Sequence, residues 1–267
     1  MKIFVDTHAH TVASTHAYST VHDYFQQAKL KGLHMFGITD HAPAMPDAPH
    51  FWHFGNMKVI PRIVNGVAML RGIEANILPE NPGTICCHSG LRDLDIPPNL
   101  EPFLDYAIAS FHEAVFPPSD DVQRNTQAMI RAIVSGKCQI VGHPGNPRYP
   151  IDCEEVVRAA KDNNVLIEIN NSSFQMSRVG SEPFCLRLME TVDRLDWKVV
   201  FASDSHIATT IGDVSHCIEK AESIGFPIER VVTATAGGFL RFLAEHDKDV
   251  SVELADWLDY LETRKYV

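Results

Sequence analysis

The sequence lacks the features typical of membrane proteins, disulfide-stabilised proteins and proteins that bind long nucleic acids. No apolar run is long enough to cross a bilayer, and the opening MKIFV is followed at once by Asp6, so we expect no signal peptide and a cytoplasmic chain. None of the six cysteines belongs to a C-x-x-C pair, so free thiols are expected. Only 23 Lys and Arg stand against 34 Asp and Glu, a net charge of −11 that disfavours binding along nucleic acid and favours a small substrate.

What the chain has in excess is histidine, with fourteen in 267 residues, most of them in the first half. With 45% hydrophobic residues the chain can bury a large core, and we expect a single domain over residues 1–267. Its oligomeric state is left open, and a homo-oligomer is compatible with the composition.

Short apolar runs alternate with longer amphipathic stretches, a pattern that predicts strand-helix units around a parallel sheet closed into a barrel. The predicted strands are residues 2–5, 33–39, 68–73, 106–111, 139–142, 165–170 and 198–203. The predicted helices are residues 21–31, 122–135, 154–163 and 183–195, with a helical tail from about residue 214. Residues 79–102 are rich in Pro, Gly and Asn and are predicted to form a long loop.

Metal-binding residue types follow all but the sixth predicted strand. In a parallel barrel the carboxyl ends of the strands carry the functional residues, so these side chains should converge. Imidazole and carboxylate are the ligands that zinc, manganese and iron accept in hydrolytic sites. In strand order, the residues are His8 and His10, Asp40 and His41, Glu74, His112, His143, and then Asp204 and His206.

The spacing of two of these pairs adds information. Side chains alternate in an extended chain, so both imidazoles of His8-x-His10 can point to the same side, and Asp204-x-His206 repeats the arrangement. A single H-x-H pair is weak evidence, because a histidine at a strand end is commonly just a hydrogen-bonding residue. The accumulation of such residues at six strand ends predicts a metal site.

Taken together, the stretches DTHAHTVASTHAYST, GITDH, RGIEAN, ASFHE, GHPGNP, EINNSS and SDSH resemble the PHP (polymerase and histidinol phosphatase) superfamily, specifically its small stand-alone phosphatases of the YcdX type. The resemblance covers nearly the whole chain. It implies an α/β fold, a distorted (β/α)7 barrel of TIM-like form, and a metal-dependent phosphatase that cleaves phosphate monoesters.

The resemblance also implies a trinuclear site of divalent ions, with zinc expected and manganese or iron as alternatives. A bridging hydroxide would be the nucleophile, and Glu74 and Asp204 would be central to catalysis. The implied ligands are His8, His10, Glu74 and Asp204 for the first ion, Glu74, His112 and His143 for the second, and His16, His41 and His206 for the third.

Substrate contacts are less marked in the sequence. Arg178, after the polar end of the sixth strand, is a candidate for binding phosphate, with a solvated loop as the alternative. His53 belongs to an aromatic segment, residues 49–54, that could cover the site or simply pack. Asp6 and Asp40 could each orient a metal-binding imidazole or merely end a strand.

Three alternatives stay open. An amidohydrolase or TatD-like deoxyribonuclease shares the H-x-H pair and a final Asp, but not His16, His41 and His206 as a set. A nuclease within the PHP superfamily is disfavoured by the acidic balance and by the lack of basic, aromatic-interleaved patches. A non-catalytic metal-binding PHP module would need an inactive site although every expected ligand is present.

Overall fold

The structure is a computed structural model that describes residues 1–80, 91–175 and 177–263. Its sheet has seven parallel strands in sequential order and one short antiparallel strand at the side. The parallel strands are β1 (Val5–Asp6), β2 (Met35–Ile38), β4 (Val67–Asn76), β5 (Tyr106–Ser110), β6 (Ile140–Val141), β7 (Leu166–Asn170) and β8 (Val199–Ala202), and β3 (Ile63–Val64) is antiparallel to β4. All seven predicted strands are therefore present; the third is longer than expected and the other six are shorter, the first and fifth having only two residues each.

The barrel closes between its first and last strands. Ala9 and Ser205 form a parallel bridge just beyond the ends of β1 and β8. The backbone N–H of His10 donates to the carbonyl of Ser205 over 2.8 Å, and the N–H of Ser205 donates to the carbonyl of His8 over 3.2 Å. The hydrogen bonds that close the barrel thus lie within two predicted ligand pairs, one near the start of the sequence and one near its end. They hold these two pairs next to each other. The prediction of a distorted (β/α)7 barrel is confirmed.

The β3–β4 hairpin was not predicted, although the sequence carries its signal. Asn65 and Gly66 form its turn with φ values of 54° and 82°, and Val64 pairs with Val67 across it. Asn-Gly is the preferred dipeptide of a two-residue hairpin turn, because both positions need a positive φ.

Helices cover the outside of the sheet and follow the predicted pattern. In the described residues they are α1 (Val21–Lys31), α2 (Trp52–Asn56), α3 (Val122–Val134), α4 (Cys153–Asp162), α5 (Glu182–Arg194), α6 (Ser215–Ser223), α7 (Ala236–Ala244) and α8 (Ala255–Thr263). The predicted helical tail is divided into the last three of these. None of the described helices is both long and apolar enough to cross a membrane.

The end of the barrel opposite to the metal-binding motifs is filled with apolar side chains. Tyr106 on β5 lies inside the barrel, where its hydroxyl donates to the carbonyl of Thr7 over 2.6 Å and its ring contacts Phe239 of α7. A Cβ at Gly37 would lie only 1.7 Å from this hydroxyl, so the position admits no side chain. Because α7 and α8 close this end, the carboxyl ends of the strands are the open mouth of the barrel.

The predicted loop at residues 79–102 falls partly outside the described residues, which include neither Cys86, Cys87 nor His88. Of its described part, Leu94 is buried and forms an antiparallel bridge with Ile77, so the second half of the segment packs against the barrel. The other four cysteines are buried free thiols.

Candidate metal centre

The structure brings all nine predicted metal ligands together at the open mouth of the barrel. Their side chains come from strand β4 and from the loops after five other strands, so no local segment could form the cluster alone. All are buried or partly buried except His16, whose side chain is 52% exposed. The cluster surrounds Glu74, at the carboxyl half of β4.

The two carboxylate oxygens of Glu74 face different histidines. Oε2 lies 3.4 Å from Nε2 of His10 and 3.2 Å from Nε2 of His41. Oε1 lies 3.3 Å from Nε2 of His8, 3.3 Å from Nε2 of His112 and 3.0 Å from Nε2 of His143. A carboxylate placed in this way is suited to bridge two cations.

Asp204 lies beside the same group. Its Oδ1 is 3.4 Å from Nε2 of His10 and 3.6 Å from Nε2 of His8, and these three residues form one compact potential metal-binding group. Asp204 and His143 both have positive φ, 55° and 32°. Non-glycine residues held there are strained, and such strain concentrates at functional sites because the surrounding structure must impose it.

The three histidines implied for a third ion are neighbours but do not form one compact group. Ring centroids are 5.1 Å apart for His16 and His41, 4.6 Å for His16 and His206, and 6.2 Å for His41 and His206. His41 and His206 instead group with His10, and His16 and His41 group with Asp47.

Several ligand candidates are anchored through Nδ1, which leaves Nε2 for a metal. Nδ1 of His8 contacts Glu168 at 2.7 Å, and Nδ1 of His112 contacts the side-chain oxygen of Asn76 at 2.8 Å. Nδ1 of His206 contacts the carbonyl of Asp204 at 3.0 Å. Metal-binding histidines commonly donate their second N–H in this way.

The sequence-based prediction missed Glu168 and Asn76, and also Asp47, whose carboxylate contacts Nδ1 of both His16 and His41. Glu168 could have been found, because a charged residue interrupts the apolar run VLIEIN in a strand predicted to be buried. Asp47 and Asn76 carried no comparable signal, since Asp47 lies in a loop and Asn76 ends a strand like many other polar residues.

Mutual electrostatics in the cluster shift several pKa values. Burial alone would raise the pKa of Glu74 and Asp204, but the surrounding histidines hold both well below the usual range, with Arg178 adding to the effect on Asp204. Burial lowers the pKa of His10 to about 3 and that of His143 to about 4. The unfavourable burial of His41 is outweighed by Asp47 and Glu74, which raise its pKa to about 10.

The arrangement around His8 fits a bound cation. Nδ1 of His8 faces the carboxylate of Glu168 at 2.7 Å, and its Nε2 lies 3.1 Å from Nε2 of His10 and 3.3 Å from Oε1 of Glu74. Burial disfavours a charged ring, but Glu168, Glu74 and Asp204 raise the pKa of His8 well above its usual value, so without metal the ring itself holds positive charge at this point. A divalent ion would take the place of the proton on Nε2 and supply positive charge among the same atoms.

A cavity of about 470 Å³ opens onto the cluster. Arg178 lines it, and its Nη1 lies 3.1 Å from Oδ2 of Asp204, with its side chain 14% exposed. The structure thus places Arg178 beside the predicted ligands rather than in a solvated loop. Beyond them the described wall is mostly neutral and polar, formed by Asn171, Ser172, Gln175, Ser177 and Thr210, with the carboxylate of Asp213.

Three other residues that the sequence suggested for substrate binding or for orienting a ligand make different contacts. His53 does not line this cavity; its Nε2 lies 2.9 Å from buried Asp40, and it borders a separate cavity on the outer side of α2. Asp40 accepts hydrogen bonds from Thr11 and Ser14, so its carboxylate orients a loop and not a ligand imidazole.

The carboxylate of Asp6 contacts no ligand imidazole among the described residues. It accepts from the backbone N–H groups of Ser203 and Gly212, over 3.1 and 2.7 Å, and so joins β1 to the segments after β8. Both carboxylates therefore stabilise the backbone that carries the ligands.

Comparison with known proteins agrees with this architecture. The PHP domain family matches residues 6–172. A protein of Shewanella piezotolerans named "Probable phosphatase" is 50% identical over 96% of this chain and 99% of the relative. Another of the same name, from Aeromonas hydrophila, is 48% identical over 96% of this chain and all of the relative.

Among solved structures, histidinol phosphate phosphatase of Lactococcus lactis, described in complex with zinc, L-histidinol and phosphate, superposes with a TM-score of 0.62. The identity is 17%, and the match covers 85% of this chain and 95% of that one, so it supports the fold. The names of the relatives agree with the predicted enzyme class. The chain therefore belongs to the PHP family, and its resemblance to the stand-alone phosphatases of that family is confirmed.

Proposed function

We propose that this chain hydrolyses phosphate monoesters with three divalent ions bound at the mouth of the barrel. The observation that carries the proposal is the convergence of imidazole and carboxylate ligand atoms around Glu74, above all Nε2 of buried His8, which faces His10 and Glu74. Hydrolysis at zinc-type centres uses these ligand types, and binding of the ions would displace the protons that the histidines hold in their absence.

The proposed ligands for the first ion are His8, His10, Glu74 and Asp204. Glu74 is shared with the second ion, which His112 and His143 also bind. The grouping of His112 with His143 is supported by Glu74, since both face its Oε1, which His8 also faces, while Oε2 faces His10 and His41. His16, His41 and His206 are the proposed ligands of the third ion.

Bound divalent ions would supply a water of lowered pKa and would offset negative charge on phosphate. Zinc suits these imidazole and carboxylate ligands, and manganese and iron are the alternatives. The chain's own contribution is to hold the ligands in place. Glu168 fixes the ring of His8, and Asn76 fixes that of His112, so both Nε2 atoms face the cluster without rotation.

Arg178 is the proposed phosphate-binding residue. Its guanidinium lies at the edge of the cluster, where it can donate two parallel hydrogen bonds to phosphate oxygens. Its present contact with Asp204 orients it toward the proposed first ion. A phosphate held between Arg178 and the cluster would lie in the cavity with its alcohol group toward the polar wall.

The shape of the cavity favours a small substrate. At about 470 Å³ it accommodates a phosphorylated metabolite but not a length of polynucleotide. Its described lining contains no Phe, Tyr or Trp on which bases could stack, and stacking is a main source of affinity for single strands. The net charge of −11 also opposes a long polyanion.

The proposal is tested by assaying a phosphomonoester, a phosphodiester and an amide with the metal-loaded and the chelated protein. We expect hydrolysis of the monoester, loss of that activity with chelator and its return with added zinc or manganese. Preferred cleavage of the diester or the amide would refute monoester specificity. Monoester cleavage that survives complete metal removal would refute the metal-dependent mechanism.

A further inference from the structure

One carboxylate contacts two histidines of the set proposed for the third ion. Oδ2 of Asp47 lies 2.7 Å from Nδ1 of His16 and 3.1 Å from Nδ1 of His41. Its Oδ1 lies 3.3 Å from the same nitrogen of His41. Asp47 belongs to the loop between β2 and α2 and is separated from His16 by 31 residues of chain.

These contacts determine which ring nitrogens remain available. With Nδ1 of both rings directed at Asp47, Nε2 is the nitrogen left on each, and that of His41 already lies 3.2 Å from Glu74. This restraint on ring orientation matters most for His16, because its half-exposed side chain packs little and would otherwise sample several rotamers.

Asp47 also joins the two loops that carry these histidines. Its backbone carbonyl accepts from the N–H of Thr15 over 3.3 Å, next to His16 in sequence. Backbone and side chain of one residue therefore hold the His16 loop against the His41 loop. The other anchoring residues differ, since Glu168 and Asn76 each contact the ring of a single predicted ligand.

We propose that Asp47 is a positioning residue that assembles the site of the third ion by holding His16 and His41 with Nε2 directed at the metal. The inference rests on the proposed trinuclear function and deepens it. Asp47 also supplies negative charge behind a site whose proposed ligands are all imidazoles, which would make both rings stronger metal ligands. Loss of Asp47 should therefore weaken the binding of the third ion and leave the binding of the other two unchanged.

The test compares zinc binding to the wild type, Asp47→Ala and Asp47→Asn at buffered free zinc, with bound metal counted by mass spectrometry. We expect the third ion to bind about 10–100-fold more weakly in both variants, with the first two unchanged. Saturating zinc should restore turnover, and the metal concentration needed for half-maximal activity should rise by the same factor. A purely structural defect would not be rescued by metal.

Asp105→Asn is the matched control. Asp105 is a buried carboxylate at the start of β5 that pairs with Arg62, at the opposite end of the barrel. Its replacement should lower thermal stability yet leave all three zinc affinities as in the wild type. The control therefore distinguishes the effect of losing any carboxylate ion pair from the specific effect of losing Asp47.

The outcomes distinguish the inference from the function on which it rests. Wild-type protein with three ions, and Asp47 variants that bind the third with wild-type affinity, would overturn the role of Asp47 and leave the proposed function standing. Wild-type protein that binds no third ion would overturn both. Weakened binding of the first two ions to the same extent as the third would also contradict the inference, because Asp47 contacts only His16 and His41 among the predicted ligands.

Discussion

Replacement of Glu168 by glutamine should damage both stability and metal binding, although it changes the side chain by one atom. Oε1 of Glu168 accepts from Nδ1 of His8, and Oε2 accepts from the backbone N–H of His143 over 2.7 Å and from the amide of Asn170 over 3.1 Å. Both oxygens thus face donors, and glutamine has only one acceptor oxygen.

Either orientation of the new amide is unfavourable. If its NH₂ replaces Oε2, it faces the N–H groups of His143 and Asn170, and buried donors lose their partners. If it replaces Oε1, Nδ1 of His8 must give up its proton to accept from the amide, so in the loaded protein Nε2 would have to hold the proton and could not bind the ion.

One lost buried hydrogen bond to a charged group costs about 2 kcal/mol. For a chain of this size that lowers the Tm by roughly 4–8 °C. In the second orientation the first ion should also bind about 10–100-fold more weakly.

The assay measures thermal unfolding of the chelated protein and zinc affinity of the loaded protein, for Glu168→Gln and for Glu190→Gln. Glu190 is exposed on α5, and its replacement should leave both values unchanged. A Glu168→Gln protein with wild-type Tm and wild-type zinc affinity would refute the argument that this carboxylate fixes His8.

Three further predictions concern substrate binding, packing and pH. Arg178→Ala should lower kcat/KM for a monoester about 10–100-fold and weaken inhibition by inorganic phosphate, because a charge-assisted contact is lost; unchanged inhibition would contradict its role. Gly37→Ala should yield largely insoluble protein, since the new Cβ would displace the Tyr106 hydroxyl; a soluble variant with wild-type Tm would show that the barrel interior can adapt. In chelated protein, burial lowers the pKa of His10 to about 3 and that of His143 to about 4. As the pH drops below about 6.5, these two histidines take up protons in the unfolded chain before they do so in the folded chain, so the stability of the fold should fall. His41, with its pKa raised to about 10 despite burial, stabilises fully below about 6.5 and loses this effect toward pH 10, so a Tm that rises steadily from pH 6.5 to 10 would contradict the assignment.

Residue type and order were sufficient to predict the barrel and the ligand cluster. Strand ends of a parallel barrel meet at one mouth, so ligands such as His8, Glu74 and His143 could be grouped without knowing any distance. The same reasoning left the roles of Asp6 and Asp40 open, because a carboxylate beside a ligand histidine can equally accept backbone N–H groups. Asp6 contacts Ser203, which is 197 residues away in the sequence.

What the sequence could not show is which loops meet. Asp47 lies in an irregular segment with no periodicity, and its partner His16 belongs to a different loop, so only the folded chain reveals the pair. The aromatic segment around His53 was ambiguous for a related reason, since aromatic side chains pack as readily as they bind. The single domain over residues 1–267 and a homo-oligomeric state stay predictions.

The proposed sharing of Glu74 between two of three bound ions is tested by counting metals per chain in the wild type and in Glu74→Ala. Both proteins are loaded with zinc, freed of excess metal, and analysed by mass spectrometry together with a measurement of protein concentration. We expect about three ions in the wild type and about one in the variant, held by His16, His41 and His206. Loss of fewer than two ions on removal of Glu74, or a wild type that holds fewer than three, would contradict it.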